Sequence, residues 1–267
     1  MLTSRYIARA YLVPLDKTKR SIGMADRDVG DGTAESLILP KEDLNGWRKR
    51  WEEGRTAWHK TTVDPVLEKR IGLIEDGCGG GLSILVPMCG RSLDLLWLCS
   101  RGHSVTGVEI SSIAVGELFT DNSIPFTSIE SGPFTIYKAT DRDLNVLCGD
   151  VFNLDTSYAG PFDVIWDCNA IVAINADDRE RYVKAELSVL KEGGRILMTT
   201  WVYEQSIHLR FPLCVSPEMV EKLFAAQCDV RVVENIVLPN DSHFCQRHEL
   251  PWAIRPVLFL NRKELVQ

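Results

Sequence analysis

Residues 82–109, LSILVPMCGRSLDLLWLCSRGHSVTGVE, constrain the fold more than any other stretch of this chain. An apolar, β-branched run reaches a turn at Pro87-Met88-Cys89-Gly90. A helical pattern follows, and then a second apolar run ending in Glu109. The spacing predicts a strand–turn–helix–strand unit with an acid 19 residues beyond the turn glycine. In nucleotide-binding α/β folds an acid at that place accepts hydrogen bonds from ribose hydroxyls. The expected ligand is therefore a cofactor containing adenosine.

The same unit limits which cofactor. The turn holds one glycine, so the GxGxxG pattern that lets a pyrophosphate approach the backbone is missing. A cofactor without phosphates fits better, and S-adenosyl-L-methionine is the one expected. An NAD-dependent oxidoreductase is disfavoured on the same ground.

Composition removes other classes. The net charge of −7 over 267 residues gives no broad field for a nucleic-acid backbone. No apolar run approaches the roughly 20 residues needed to span a bilayer, so no membrane partner is expected. The eight cysteines, at 78, 89, 99, 148, 168, 214, 228 and 245, form no CxxC pair. That argues against a metal site and for reduced thiols in a cytoplasmic protein. Residues 1–40 read as a flexible extension, with Gly23, Gly30 and Gly32 among aspartates; a weak transit peptide is the alternative. Residues 41–267 read as a single domain.

Leu39-Pro40-Lys41-Glu42 is predicted to open a helix through about Glu53, with Trp47 and Trp51 at i and i+4. Another is expected after the Asp64-Pro65 cap. Ser92 and Ser111 are expected to cap two further helices, and Asp177–Leu190 and Ser216–Gln227 also read as helical. Strands are expected at 84–88, 104–110, 134–138, 144–148, 162–167, 195–201, 229–238 and 252–261, with no helix between the last two. The glycine run 77–81 precedes the first strand, so it reads as a connector rather than a phosphate loop. Alternating strand and helix implies a doubly wound, mostly parallel α/β sheet of the seven-stranded, Rossmann-like kind, with a C-terminal antiparallel hairpin. Ligands of such sheets sit beyond the carboxyl ends of the central strands, which places Met88 to Gly90, Glu109, Asp150 and Asp167 around one crevice.

Several blocks in order resemble the thiopurine S-methyltransferase family. They are Trp47-xxx-Trp51-xx-Gly54-Arg55-Thr56-Ala57-Trp58-His59, Val86-Pro87-Met88-Cys89-Gly90, and Arg101-Gly102-His103-Ser104-Val105-Thr106-Gly107-Val108-Glu109-Ile110-Ser111. Phe162-Asp163-Val164-Ile165-Trp166-Asp167, Ala170-Ile171-Val172-Ala173-Ile174-Asn175, and the region of Arg247-His248 and Trp252 complete the set. The resemblance implies that Trp47, Trp51 and Trp58 close over S-adenosyl-L-methionine, with Trp58 also facing the acceptor. It implies that Met88, Gly90, Glu109, Ile110, Asp150, Val151 and Cys168 belong to the cofactor site, Glu109 at the ribose and Ile110, Asp150 and Val151 at the adenine. Arg247 matches an arginine near the acceptor. At Cys168 the chain departs from the family, which has arginine there, and a neutral thiol cannot replace a guanidinium beside an anion.

The expected activity is methyl transfer to sulfur of a small aromatic or heterocyclic thiol, by proximity and with neither a covalent nucleophile nor a metal. A monomer is expected. The alternatives are methyl transfer to halide, thiocyanate, selenium or arsenic species, or a non-catalytic adenosine-binding protein.

Overall fold

The computed structural model describes residues 39–76 and 81–264. The readings of residues 1–38, of Cys78 and of most of the 77–81 glycine run lie outside the described residues.

Nine strands form one sheet in the order β3-β4-β5-β2-β1-β6-β7-β9-β8. They are β1 Ser83–Pro87, β2 Ser104–Glu109, β3 Phe126–Ser131, β4 Phe134–Ala139, β5 Leu144–Cys148, β6 Phe162–Cys168, β7 Leu190–Thr199, β8 Cys228–Leu238 and β9 Ala253–Arg262. The helices are α1 Leu44–Glu52, α2 Pro65–Glu75, α3 Asp94–Ser100, α4 Ser112–Asp121, α5 Arg179–Val189, α6 Pro217–Phe224 and α7 His243–His248.

The five central strands β5, β2, β1, β6 and β7 are parallel. Their side chains alternate between two apolar layers, as the pleat requires. Leu85, Val108, Ile165 and Ile196 join Tyr182, Leu187, Val220 and Phe224 on one face. Ile84, Val86, Val105 and Val164 join Leu67, Ile74, Leu95, Leu98 and Leu118 on the other. Burial of both faces explains why these strands read as continuous apolar runs.

The ends of the sheet differ from the sequence reading. The sheet has nine strands rather than seven: five parallel central strands, with β3 and β4 added antiparallel at one edge and β9 and β8 at the other, and of these only β3 had no counterpart among the expected strands. Strand β3 was not expected: its residues are exposed along nearly its whole length, so no apolar alternation marks it. The C-terminal hairpin β8–β9 is antiparallel as expected, but its connection carries α7, a helix of 6 residues. A helix that short has no apolar periodicity to read. Leu93, rather than Ser92, is the N-cap of α3. Gly193 and Gly194 lie inside β7.

Two caps follow the sequence closely. Asp64 accepts from the Val66 N–H at 2.9 Å, with Pro65 opening α2. Ser111 accepts from the Ala114 N–H at 3.4 Å and starts α4. Strand β1 runs between β2 and β6, so connections depart to both sides of it. The crevice at that switch lies beyond the carboxyl ends of the central strands.

Candidate active site

A cavity of about 1330 Å³ occupies that crevice. Its floor is the turn after β1. Met88 and Gly90 both take left-handed backbone conformations, φ 48° and 53°. At Gly90 the left-handed conformation strains any side chain, and an added Cβ would sit a tight 3.1 Å from the Trp51 ring, which would have to give way. The turn directs the Gly90 N–H at Glu109 Oε2, 2.9 Å away. Ser111 donates its N–H to the other oxygen, Oε1, at 2.9 Å.

Glu109 is thus buried at the tip of β2 with one donor on each oxygen. Burial raises its carboxyl above the usual range, while the backbone donors from Ser111 and Gly90 act against the rise. Each carboxylate oxygen still has a second lone pair, so two further donors can be accepted. Ile110 follows it along the cavity wall. Asp150, beyond β5, uses Oδ1 to cap the turn at Phe152 N, 3.0 Å away, and Val151 beside it is buried. Arg181 lies over the Phe152 ring, 4.3 Å from its centroid.

The roof comes from α1 and the segment after it. Trp58 meets Trp47 and Trp51 edge-on, at 5.7 Å and 6.1 Å between centroids, and Phe211 meets Trp47 at 5.4 Å. Two long-range ties hold the roof down. The Asn175 amide exchanges hydrogen bonds with the Glu42 backbone at 2.9 Å and 3.0 Å. Arg247 of α7 donates to the Ala57 carbonyl, one residue before Trp58. Trp51 is buried, and Trp58 is 44% exposed, which leaves it at the cavity mouth.

The far wall holds residues that sequence reading missed. Trp201 and Phe244 stack face to face with centroids 3.7 Å apart. Beside them Arg255 of β9 makes two hydrogen bonds to Asp64, at 3.1 Å and 2.7 Å, and its guanidinium sits 5.8 Å from the Trp201 ring. Cys168 Sγ lies 3.4 Å from Asp64 Oδ2 and 3.7 Å from Arg255 Nη2. Burial and the Asp64 charge push its thiol well above its ordinary range, so it is neutral and a poor nucleophile. One sign of Arg255 was available: it is the lone charge in the apolar run Ala253–Leu260. Asp64 gave none beyond its capping role.

The residues singled out from the sequence line the cavity except Gly90, which acts through its N–H on Glu109, and Asp167, which is buried beneath it and bonded to Ala170 N–H and the Tyr182 hydroxyl. Arg247, matched to an acceptor-side arginine, is exposed at the rim and spends a donor on the roof. Among the described residues no group of histidine, cysteine and carboxylate side chains is arranged to hold a metal.

A family model for thiopurine S-methyltransferase matches residues 42–248. The thiopurine S-methyltransferase of Equus caballus is 32% identical over 203 residues, 75% of this chain and 82% of its own length. That of Bordetella petrii is 34% identical over 206 residues, 77% of this chain and 92% of its own. Among solved structures, a 1,6-didemethyltoxoflavin-N1-methyltransferase of Burkholderia thailandensis superposes with a TM-score of 0.55 at 16% identity, over 85% of this chain and 94% of its own. The magnesium protoporphyrin IX methyltransferase of Synechocystis does so with 0.55 at 14%, over 85% and 100%. At those identities the structures speak for the fold, a class I methyltransferase fold, whereas the sequence matches carry the family. The chain belongs to the thiopurine S-methyltransferase family and is a methyltransferase dependent on S-adenosyl-L-methionine.

Proposed function

We propose that the protein methylates the sulfur of a small aromatic or heterocyclic thiol. The observation that carries this reading is the aromatic lining of the cavity that holds Glu109: Trp58 and Phe211 on the roof and the stacked Trp201 and Phe244 on the far wall. Planar rings stack well on such walls. A volume of about 1330 Å³ leaves room for an acceptor beside a nucleoside cofactor.

The residues present fit S-adenosyl-L-methionine. Glu109 has two lone pairs left for a ribose diol and no other side-chain partner. Ile110 and Val151 supply apolar faces for an adenine, and Asp150 keeps Oδ2 free for its amino group. Trp47, Trp51 and Trp58 form an aromatic cover, favourable to a cationic sulfur. Met88 and Cys168 border the space between floor and acceptor wall. When bound, the cofactor supplies a methyl group on a sulfonium centre.

The chain's own contribution is positioning. The roof tied by Asn175 and Arg247 excludes water, and the stacked Trp201–Phe244 wall fixes the plane of the acceptor ring. Aromatic thiols ionise readily, so no general base is assigned. Cys168, with its thiol pushed up, is given no covalent role. All these groups come from one chain, so a monomer suffices, and a cytoplasmic small-molecule enzyme is the fitting assignment. The test is transfer of a labelled methyl group to a panel of aryl and heteroaryl thiols. Thioether formation is expected; binding of the cofactor without transfer to any thiol would defeat the proposal.

A further inference from the structure

One buried carboxylate on the acceptor side serves two cations. Asp64 is 1% exposed. Its Oδ2 accepts from Lys60 Nζ at 2.6 Å and from Arg255 Nη2 at 2.7 Å. Its Oδ1 accepts from Arg255 Nη1 at 3.1 Å and from Val66 N at 2.9 Å. Burial alone would raise the Asp64 carboxyl, but Arg255 and Lys60 outweigh it and hold it far below the usual range. The carboxylate is therefore ionised, and it balances one of its two partners.

The two cations are placed differently. Arg255 is enclosed, 7% exposed, with a further bond to Thr199 Oγ1 at 3.1 Å. The Lys60 side chain is 46% exposed and lines the cavity. An ammonium has three donors and no acceptor, and Asp64 uses one of them. The neighbouring Asp94 gives both oxygens to neutral donors, Asp64 N at 2.8 Å and the Trp166 indole at 2.8 Å, and burial raises its carboxyl. Arg255 Nε is left without a partner but is buried, whereas Lys60 keeps two donors on an exposed side chain that lines the cavity. Lys60 and Trp201 line the same cavity, and Arg255, which shares Asp64 with Lys60, lies over the Trp201 ring, 5.8 Å from its centroid. The cluster also touches Cys168, the position where the family resemblance places an arginine: its Sγ lies 3.4 Å from Asp64 Oδ2 and 3.7 Å from Arg255 Nη2.

We propose that Lys60, set in place by the Asp64–Arg255 pair, is the specificity-determining cation of the acceptor subsite. The acceptor it selects is a planar aryl or heteroaryl thiol bearing an acidic group in addition to the sulfur. This rests on the reading of the cavity as a thiol methyltransferase site. Asp64 and Arg255 are positioning residues: they fix the ammonium and do not themselves meet the ligand.

The test compares 4-(methylthio)benzoate with 4-(methylthio)benzamide, binding to the full chain saturated with S-adenosylhomocysteine, by calorimetry. The corresponding free thiols are compared by kcat/KM. The parent should prefer the carboxylate in both. In Lys60→Met that preference should fall about tenfold, the scale of one charge-assisted hydrogen bond, and Lys60→Arg should recover most of it. Lys60 is exposed, so both variants keep the fold, and thermal melting checks this. Equal losses for carboxylate and amide would overturn the proposal, as would a parent that binds neither thioether. A matching loss of S-adenosylhomocysteine affinity would move Lys60 to the cofactor and overturn it too. If the preference behaves as expected but no thiol is methylated, the subsite stands and the thiol reading of the activity fails.

Discussion

Replacing Glu109 with alanine removes the one side chain that joins the turn after β1 to the start of α4. Two effects follow, and they separate experimentally. In the free protein the N–H groups of Gly90 and Ser111, both buried, lose their acceptor. An orphaned buried donor costs about 1–3 kcal/mol, so stability should fall by about 2–6 kcal/mol. In the complex two charge-assisted bonds to the ribose are lost as well, together worth about 1.5–3 kcal/mol of affinity. That corresponds to a Kd weaker by about 10- to 150-fold. Denaturant melts measure the first effect, and calorimetry with S-adenosylhomocysteine on the folded variant measures the second. The carboxyl also carries a pH signature. Burial raises its pKa, so affinity should be full above that raised value. It should be lost as pH falls through it, since a protonated carboxyl gives up acceptor capacity. A folded Glu109→Ala protein whose Kd stays within about twofold of the parent would refute the ribose assignment, whatever its stability.

Four other outcomes are expected. Gly90→Ala forces a Cβ to 3.1 Å from Trp51 in a left-handed conformation. It should cost about 1–2 kcal/mol of stability and weaken cofactor binding, both measurable by melts in the presence and absence of S-adenosylhomocysteine. Cofactor binding should quench tryptophan fluorescence, and Trp51→Ala should reduce both the quench and the affinity; a quench that survives intact would argue against the roof. Arg247→Ala removes the tie to Ala57, so kcat/KM should fall by a similar factor for acidic and neutral thiols, unlike Lys60→Met. The buried chain Glu186–Tyr182–Asp167 should make stability fall with rising pH. Tyr182 lies 3.1 Å from Asp167 and 3.2 Å from Glu186, and burial pushes Asp167 up to about 6 and Glu186 well above its ordinary range. The folded state therefore holds protons that the unfolded chain has released above about pH 4. Stability declines from there through pH 6 and beyond, and Glu186→Gln should flatten that slope in melts across the range.

The sequence determined the centre of this protein. A parallel sheet buried on both faces needs continuous apolar strands, and 84–88, 104–110 and 162–167 could be read as such directly. Caps such as Asp64-Pro65 and Ser111 are local chemistry and equally legible. So was Glu109, because its distance from the turn glycine is fixed by the length of one strand–helix–strand unit. The tertiary structure decided the rest. Strand β3 owes its pairing to β4 rather than to any pattern of its own, and α7 is too short to show one. The acceptor wall joins Lys60 and Asp64 to Cys168 and Arg255, with Asp64 and Arg255 lying 191 positions apart. Asp64 read as a helix cap, a locally sufficient reading, and Arg255 drew no reading of its own within its apolar strand. Only β9, inserted antiparallel beside β7, carries that guanidinium to that carboxylate. A buried charge is tolerable only when paired, so the pairing is a property of the packed sheet and of no segment of the chain alone.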